Sequence, residues 1–216
     1  MNRRNFSGAL IRSVVASELL FAGGLSVAQQ AMPVEGKDFR RLGTSFPTST
    51  SGKIEVLEFF SYACHVCNAF EPELEAWART LPNDVVLRRV PVWFLGNAQN
   101  FQRTYFALES MGLIDSMQSK IFAAVHVERL SLERPEDIAS IVGKNGGDAA
   151  KFLSLFQSFS VAMAVSRAKK MTSDYGVESI PTLAVQGRFT TSPSQAGGSA
   201  KALAVVNALI LQVRKG

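Results

Sequence analysis

The chain has 216 residues, of which 47% are hydrophobic and 19% are charged, and its formal net charge is +5. This length suits one compact core with a sizeable insertion, and no run of about 20 uninterrupted apolar residues indicates a membrane span. Lysine and arginine are scattered rather than gathered into a basic stripe between aromatic residues, which argues against nucleic-acid binding. The composition therefore predicts a soluble globular protein.

The N-terminus has the pattern of an export signal. Arg3 and Arg4 begin a basic region, residues 9–25 are mostly apolar, and small residues around Ala28 offer a cleavage site. Two charged residues interrupt the apolar part, which argues against a permanent anchor. We predict a signal peptide over residues 1–28, read by the Sec or the twin-arginine route. A frayed amphipathic helix or an organellar transit peptide is the alternative.

Strand, helix and strand follow one another in the next part of the chain. Residues 34–51 are a lead-in with one short strand around Phe39, and residues 54–60 are an apolar run of strand length. Apolar residues at helical spacing extend from 64 to 80, and a second strand is predicted over 85–92. This order is half of a thioredoxin fold.

The stretch after this unit has helical periodicity and no convincing strand, so we interpret residues 97–171 as an inserted helical domain. Asp148 follows a turn and can cap the next helix, and a final long helix is predicted over 160–175. Gly176 ends that helix.

The core then resumes. Residues 182–185 form a short strand, Gly187 supplies a hairpin turn, and residues 200–213 form a closing amphipathic helix. We expect the cluster of Thr, Ser and Gly over 190–199 to be a surface loop.

The predicted class is therefore α/β. A thioredoxin-like domain is expected over residues 29–96 and 172–216, and the helical domain is inserted between its second and third core strands. The sequence contains no internal repeat.

Cys64 and Cys67 are the only two cysteines, and they lie at the predicted start of a helix. They are too close in sequence to join distant parts of a fold, so their role is chemical. Unpaired N–H groups at the helix start favour a thiolate at Cys64, which we predict to be the attacking sulfur, whereas Cys67 resolves the mixed disulfide. His65 between them can add positive charge; an exposed turn histidine without a role is the alternative.

Ile180 and Pro181 precede the late strand. In a thioredoxin fold a cis proline faces the disulfide, and the residue before it pairs with an extended substrate peptide by strand addition. We therefore predict substrate binding at Ile180 and Pro181. An ordinary trans proline at the start of a strand is the alternative.

These residues carry a resemblance to a known family. The segment 56–67 resembles the active-site segment of the DsbA family of periplasmic disulfide oxidases, and residues 180–182 resemble its cis-proline loop. The resemblance implies a periplasmic enzyme without a cofactor that donates disulfides to unfolded exported proteins with thiols. It also implies reoxidation by a DsbB-like membrane quinone reductase. The best-known family motif is Cys-Pro-His-Cys, whereas His65 and Val66 stand here, which affects the expected oxidising strength.

Glu58 is an acid within the predicted central strand, where burial of a charge is costly. It resembles the family's buried acid, and we hypothesise that it relays protons for Cys67 while paired with Arg89, where the family usually has Lys. A glutamate that faces solvent is the alternative. His126 lies far from the motif in sequence, and we assign it a structural role.

Other activities stay open. The first alternative is a reductase or isomerase of the same fold, since redox direction depends on electrostatics and partners. A copper- or zinc-binding protein that uses the cysteine pair is another, although four zinc ligands are not evident, and we predict no metal. A binding module with a purely structural disulfide is the third.

Overall fold

The structure, a computed structural model, describes residues 32–215. The predicted signal peptide over residues 1–28 therefore lies outside the described residues. The strands and helices are, in chain order, β1 (Arg40–Arg41), β2 (Ile54–Phe60), α1 (His65–Ala78), β3 (Val85–Pro91), α2 (Ala98–Ser110), α3 (Ile114–His126), α4 (Pro135–Lys144), α5 (Ala149–Gln157), α6 (Phe159–Asp174), β4 (Thr182–Val185), β5 (Phe189–Thr191), α7 (Pro193–Ala196) and α8 (Ser199–Arg214).

The strands of the described chain form a mixed sheet in the order β1-β5-β4-β2-β3. β2 pairs in parallel with β3 and antiparallel with β4, and all seven of its residues are buried. Burial on both faces explains its nearly continuous apolar character. The parallel register sets Glu58 of β2 opposite Arg89 of β3. This topology is the predicted thioredoxin fold with helices inserted after its second core strand.

Helices α2 to α6 lie between β3 and β4 in the chain, as predicted. α6 crosses the predicted domain boundary at residue 171, and the domain boundaries remain a prediction. Within residues 32–215 no single helix is both long and apolar enough to cross a bilayer; the pair α5 and α6, bent by 60°, meets the requirement by length and composition only. One apolar cluster joins the inserted helices to the cysteine pair, and its members include Tyr62, Cys64, Cys67, Phe101, Ile121, Phe122 and Phe152.

Local signals in the sequence explain most of these bounds. β2 and β4 have the predicted limits, and the Asp148 side chain caps α5 by accepting a hydrogen bond from the Lys151 N–H at 2.9 Å. The predicted surface loop over 190–199 is wrong. Thr190 and Thr191 are buried in β5, and α7 follows them. β5 pairs with β4 on one side and β1 on the other, so its threonines occupy interior sheet positions that suit β-branched residues.

Candidate active site

Cys64 and Cys67 form a disulfide at the N-terminus of α1, with their Cα atoms 5.2 Å apart. Cys64 is the N-cap residue, and its Sγ accepts a hydrogen bond from the backbone N–H of Cys67 at 3.0 Å. Cys67 is fully buried, whereas Cys64 is 5% exposed. Cys64 is therefore the more accessible sulfur, and it is also the one next to unpaired helix N–H groups.

The turn between β2 and α1 is fixed from two sides. The Ser61 carbonyl accepts from the N–H of Cys64 at 3.0 Å, and its hydroxyl accepts from the N–H of Ala63 at 3.2 Å. The buried Tyr62 hydroxyl donates to Oε1 of Gln118 on α3 at 2.6 Å. Because these bonds hold the backbone just before Cys64, both the strand end and the inserted domain set the position of its sulfur.

The loop before β4 meets the disulfide. The peptide bond between Ile180 and Pro181 is cis, as predicted. The carbonyl oxygen of Ile180 lies 3.8 Å from Sγ of Cys64. The structure thus brings the cis-proline loop to the cysteine pair, although the two are far apart in sequence. The backbone of Ile180 lies beside Cys64, the more accessible of the two cysteines.

Two histidines lie near the cysteine pair. His65 is exposed at the first position of α1, and His126 ends α3, with its Nε2 atom 2.8 Å from the Tyr62 carbonyl oxygen. Their ring centroids are 6.0 Å apart. Across residues 32–215 no group of three or more His, Cys, Asp or Glu side chains is arranged to hold a metal ion. His126 is far from the motif in sequence, but α3 returns it to the active-site turn; its structural role stays a prediction.

Glu58 belongs to a buried charged cluster. It is fully buried, and its Oε2 accepts a hydrogen bond from Nε of Arg89 at 3.0 Å, so the predicted pairing is confirmed. Nη2 of the same guanidinium donates to Oε1 of Glu71 at 2.9 Å and also to Glu75. α1 supplies both of these acids from one face, four residues apart. Three carboxylates therefore surround one guanidinium.

The cluster favours retention of a proton. Burial raises the pKa of Glu58 to about 7, although the Arg89 charge opposes this shift. Burial and the neighbouring Glu58 carboxylate raise the pKa of Glu71 to about 8. Among the described residues, Oε1 of Glu58 and Oε2 of Glu71 have no hydrogen-bond partner, and an unpaired buried carboxylate oxygen is costly when ionised. We conclude that the cluster holds at least one proton near neutral pH.

The cluster also borders solvent. Arg89 lines an open pocket of about 260 Å³ at the β3 edge of the sheet, together with Arg88, Tyr105 and Glu109. Neither cysteine is among the described residues that line this pocket. The side chain of Glu75 is 32% exposed. The cluster thus has access to water at a place separate from the disulfide.

Glu71 and Glu75 are not among the site residues predicted from the sequence. Their spacing of four residues does place them on one helix face, but such acids are usual on solvent-exposed helices. Only the position of α1 over the sheet turns them towards Arg89. One signal in the sequence could have identified Glu71. It shares the helical spacing of the apolar residues Phe70 and Leu74, which are buried on the same side of α1.

A thioredoxin fold with a Cys-x-x-Cys disulfide at a helix N-terminus, opposite a cis proline, defines a thiol:disulfide oxidoreductase. The family described as DSBA-like thioredoxin domain matches residues 83–204. A thiol:disulfide interchange protein DsbA of Bordetella parapertussis is 39% identical over 216 residues, all of both chains. One from Pseudomonas aeruginosa is 35% identical, over 93% of this chain and 96% of its own. The chain belongs to the DsbA family of thiol:disulfide interchange proteins.

The solved structures agree with this assignment. The crystal structure of Pseudomonas aeruginosa DsbA superimposes with a TM-score of 0.81 at 36% identity, covering 85% of this chain and 95% of that one. A DsbA from Xylella fastidiosa gives a TM-score of 0.80 at 25% identity, over 86% of this chain and all of its own. The likeness therefore extends across the sheet and the inserted helices.

Proposed function

We propose that this protein donates its Cys64–Cys67 disulfide to exported proteins as they fold in the periplasm. The observation that carries the proposal is the N-cap position of Cys64, whose Sγ accepts the Cys67 N–H. Negative charge develops on this sulfur only after reduction, and a helix N-terminus stabilises negative charge. The reduced form is therefore favoured, which makes the disulfide oxidising.

The reaction is a pair of thiol–disulfide exchanges. A substrate thiolate attacks Sγ of Cys64; the new S–S bond forms as the Cys64–Cys67 bond breaks, and Cys67 leaves as a thiolate. A second substrate thiolate then attacks the substrate sulfur of the mixed disulfide and releases Cys64 as a thiolate. The substrate loses two electrons to the enzyme, which ends as a dithiol. The exposure of Cys64, 5% against a fully buried Cys67, supports attack at Cys64. In the reverse direction Cys64 is the attacking thiolate and Cys67 resolves the mixed disulfide, as the sequence predicts.

Ile180 and Pro181 form the proposed substrate-binding edge. The Ile180 carbonyl lies beside Cys64, and an extended peptide that pairs with this backbone brings its own cysteine towards Sγ. Backbone pairing does not depend on side chains, which suits an enzyme that acts on many unfolded proteins.

Glu58 is proposed to relay the proton that Cys67 takes up after it leaves as a thiolate. A carboxyl with a pKa of about 7 can donate and recover a proton near neutral pH. We expect Glu58→Gln to change the pH dependence of thiol exchange. A pH profile identical to that of the wild type would exclude the relay.

Export and reoxidation complete the proposal. Residues 1–28 would be removed as a signal peptide, and a DsbB-like membrane quinone reductase would take the two electrons from the reduced cysteine pair. The family membership supports both steps. Reoxidation of the purified protein by membranes that contain such a reductase, measured as quinone-dependent loss of free thiols, tests the partner.

The first experiment is the redox equilibrium of the cysteine pair with glutathione, with free thiols trapped by alkylation. A potential above roughly −200 mV supports a disulfide donor. A potential near about −270 mV would instead indicate a reductase that needs an electron supply. Stoichiometric metal in protein purified without chelator would support the metal-binding alternative.

A further inference from the structure

His126 connects the inserted helical domain to the active-site turn. It is the last residue of α3, and its ring contacts that of His65, the first residue of α1, with an interplanar angle of 61° and a centroid distance of 6.0 Å. The proposed mechanism assigns no role to His126. Its position beside His65, one of the two residues between the cysteines, points to one.

The His126 ring is held firmly. A carbonyl oxygen only accepts hydrogen bonds, so Nε2 carries the hydrogen and donates to the Tyr62 carbonyl at 2.8 Å. The imidazole also stacks against Phe122, whose ring lies at 30° to it with the centroids 6.1 Å apart. Tyr62 is fixed in turn by its hydroxyl bond to Gln118, one more residue of α3. The His126 ring therefore has a defined orientation against the turn that leads to Cys64.

The His65 side chain has fewer fixed contacts than the His126 ring. Its side chain is exposed, and within residues 32–215 neither a side-chain hydrogen bond nor an ion pair fixes it. An exposed side chain without a polar partner samples several rotamers. The contact with the fixed ring of His126 selects among these rotamers, so the location of the His65 ring depends on α3.

We infer that His126 is a positioning residue of the redox centre, which holds the His65 imidazole beside Cys64 and thereby favours the reduced form. The inference rests on the proposed function, in which the stability of the Cys64 thiolate sets the redox equilibrium. An imidazole that donates a hydrogen bond or carries positive charge favours a nearby thiolate only while it stays close. His126 supplies that constraint.

Two variants at position 126 test separately what the aromatic ring and the hydrogen-bond donor contribute. His126→Phe keeps an aromatic ring without the N–H donor, and His126→Gln keeps an N–H donor without the ring. Each variant is made both in the wild-type chain and in a chain that carries His65→Ala. The control is Val127→Ala, a substitution of the exposed neighbour of His126. The measurement is the equilibrium constant of the cysteine pair with glutathione, together with the melting temperatures of both redox forms.

We expect both His126 variants to shift the equilibrium towards the disulfide by roughly three- to tenfold, or about 15 to 30 mV at about 30 mV per tenfold. In the His65→Ala background the same substitutions should change it by less than about 1.5-fold, since interacting residues are non-additive. Val127→Ala should leave it unchanged.

Two results would overturn the inference. Equal shifts in both backgrounds would mean that His126 acts independently of His65. Equal losses of melting temperature in the oxidised and reduced forms, with an unchanged equilibrium constant, would show a structural contact only. The potential of the wild type tests the donor function separately, because the inference depends only on ratios between variants.

Discussion

The buried carboxyl of Glu58 should make the stability of the protein depend on pH in a specific way. Its pKa is about 7 in the folded protein, against an ordinary value of 4.5. The folded state therefore keeps a proton that the unfolded chain loses between these two values. The stabilising effect is fully present below pH 4.5 and is lost as the pH rises through 7.

The expected size follows from the two pKa values. At about 1.4 kcal/mol per pH unit, a fully buried group with this pKa difference loses about 3 kcal/mol of unfolding free energy between pH 4.5 and 7.5. Glu58→Gln removes this loss, because an amide does not ionise, while its oxygen can still accept from Arg89. Relative to the wild type, the variant should gain about 3 kcal/mol of stability over this range.

Urea unfolding of the oxidised protein at half-unit pH intervals measures the difference directly. Glu73→Gln, on the exposed part of α1, controls for the loss of one acidic side chain. The stability of Glu58→Gln minus that of the wild type should therefore rise by about 3 kcal/mol from pH 4.5 to 7.5. If their separation stays constant from pH 4.5 to 7.5, Glu58 does not retain a proton in the folded state.

Substitutions at three further positions are tested by urea unfolding. Arg89→Met leaves three carboxylates without their cation, so we expect a loss of about 3 to 5 kcal/mol at pH 8 and a smaller loss at pH 5, where Glu58 and Glu71 hold protons. Asp148→Ala removes the cap of α5 and should cost about 1 kcal/mol, whereas Asp148→Ser should keep most of it. Gly187→Ala should cost more than about 1 kcal/mol, because its φ of 61° is strained for alanine and the new Cβ would collide with the backbone of Phe46.

Each of these has a contrary result. If Arg89→Met loses the same unfolding free energy at both pH values, lost packing rather than unpaired charge destabilises the variant. Equal stabilities of Asp148→Ala and Asp148→Ser would mean that the cap bond contributes nothing. A neutral Gly187→Ala would require the Phe46 segment to move freely.

The fold was predictable because its local signals agree with its long-range pairing. The apolar run of β2 and the Ile180-Pro181 pair before β4 define strands whose bounds the structure reproduces. The 190–199 segment failed because its small polar residues resemble a loop, and only pairing with two neighbouring strands buries them. Composition describes a segment alone, whereas burial depends on its partners.

The residues nearest the chemistry of the candidate site could be predicted from the sequence, whereas the residues that contact and support them could not. Cys64, Cys67 and Pro181 are set by spacing and local chemistry, and Glu58 is marked by an acid in a buried strand. Glu71 and His126 carry no such mark, because each lies on a helix whose orientation comes from tertiary packing. Their contacts with Arg89 and Tyr62 appear only once α1 and α3 are placed against the sheet.

In the proposed mechanism, groups on β2, β3, α1 and α3 bear on the same disulfide. If Glu58 relays protons and His126 positions His65, then Arg89 and its acids alter proton uptake at Cys67 without contact with a substrate, and His126 alters the stability of the Cys64 thiolate from the inserted domain. Because a redox potential depends on the free-energy difference between two forms, side chains that touch neither sulfur can still change it. Variation at these supporting positions could thus tune oxidising strength while the Cys-x-x-Cys motif and the substrate-binding edge stay the same.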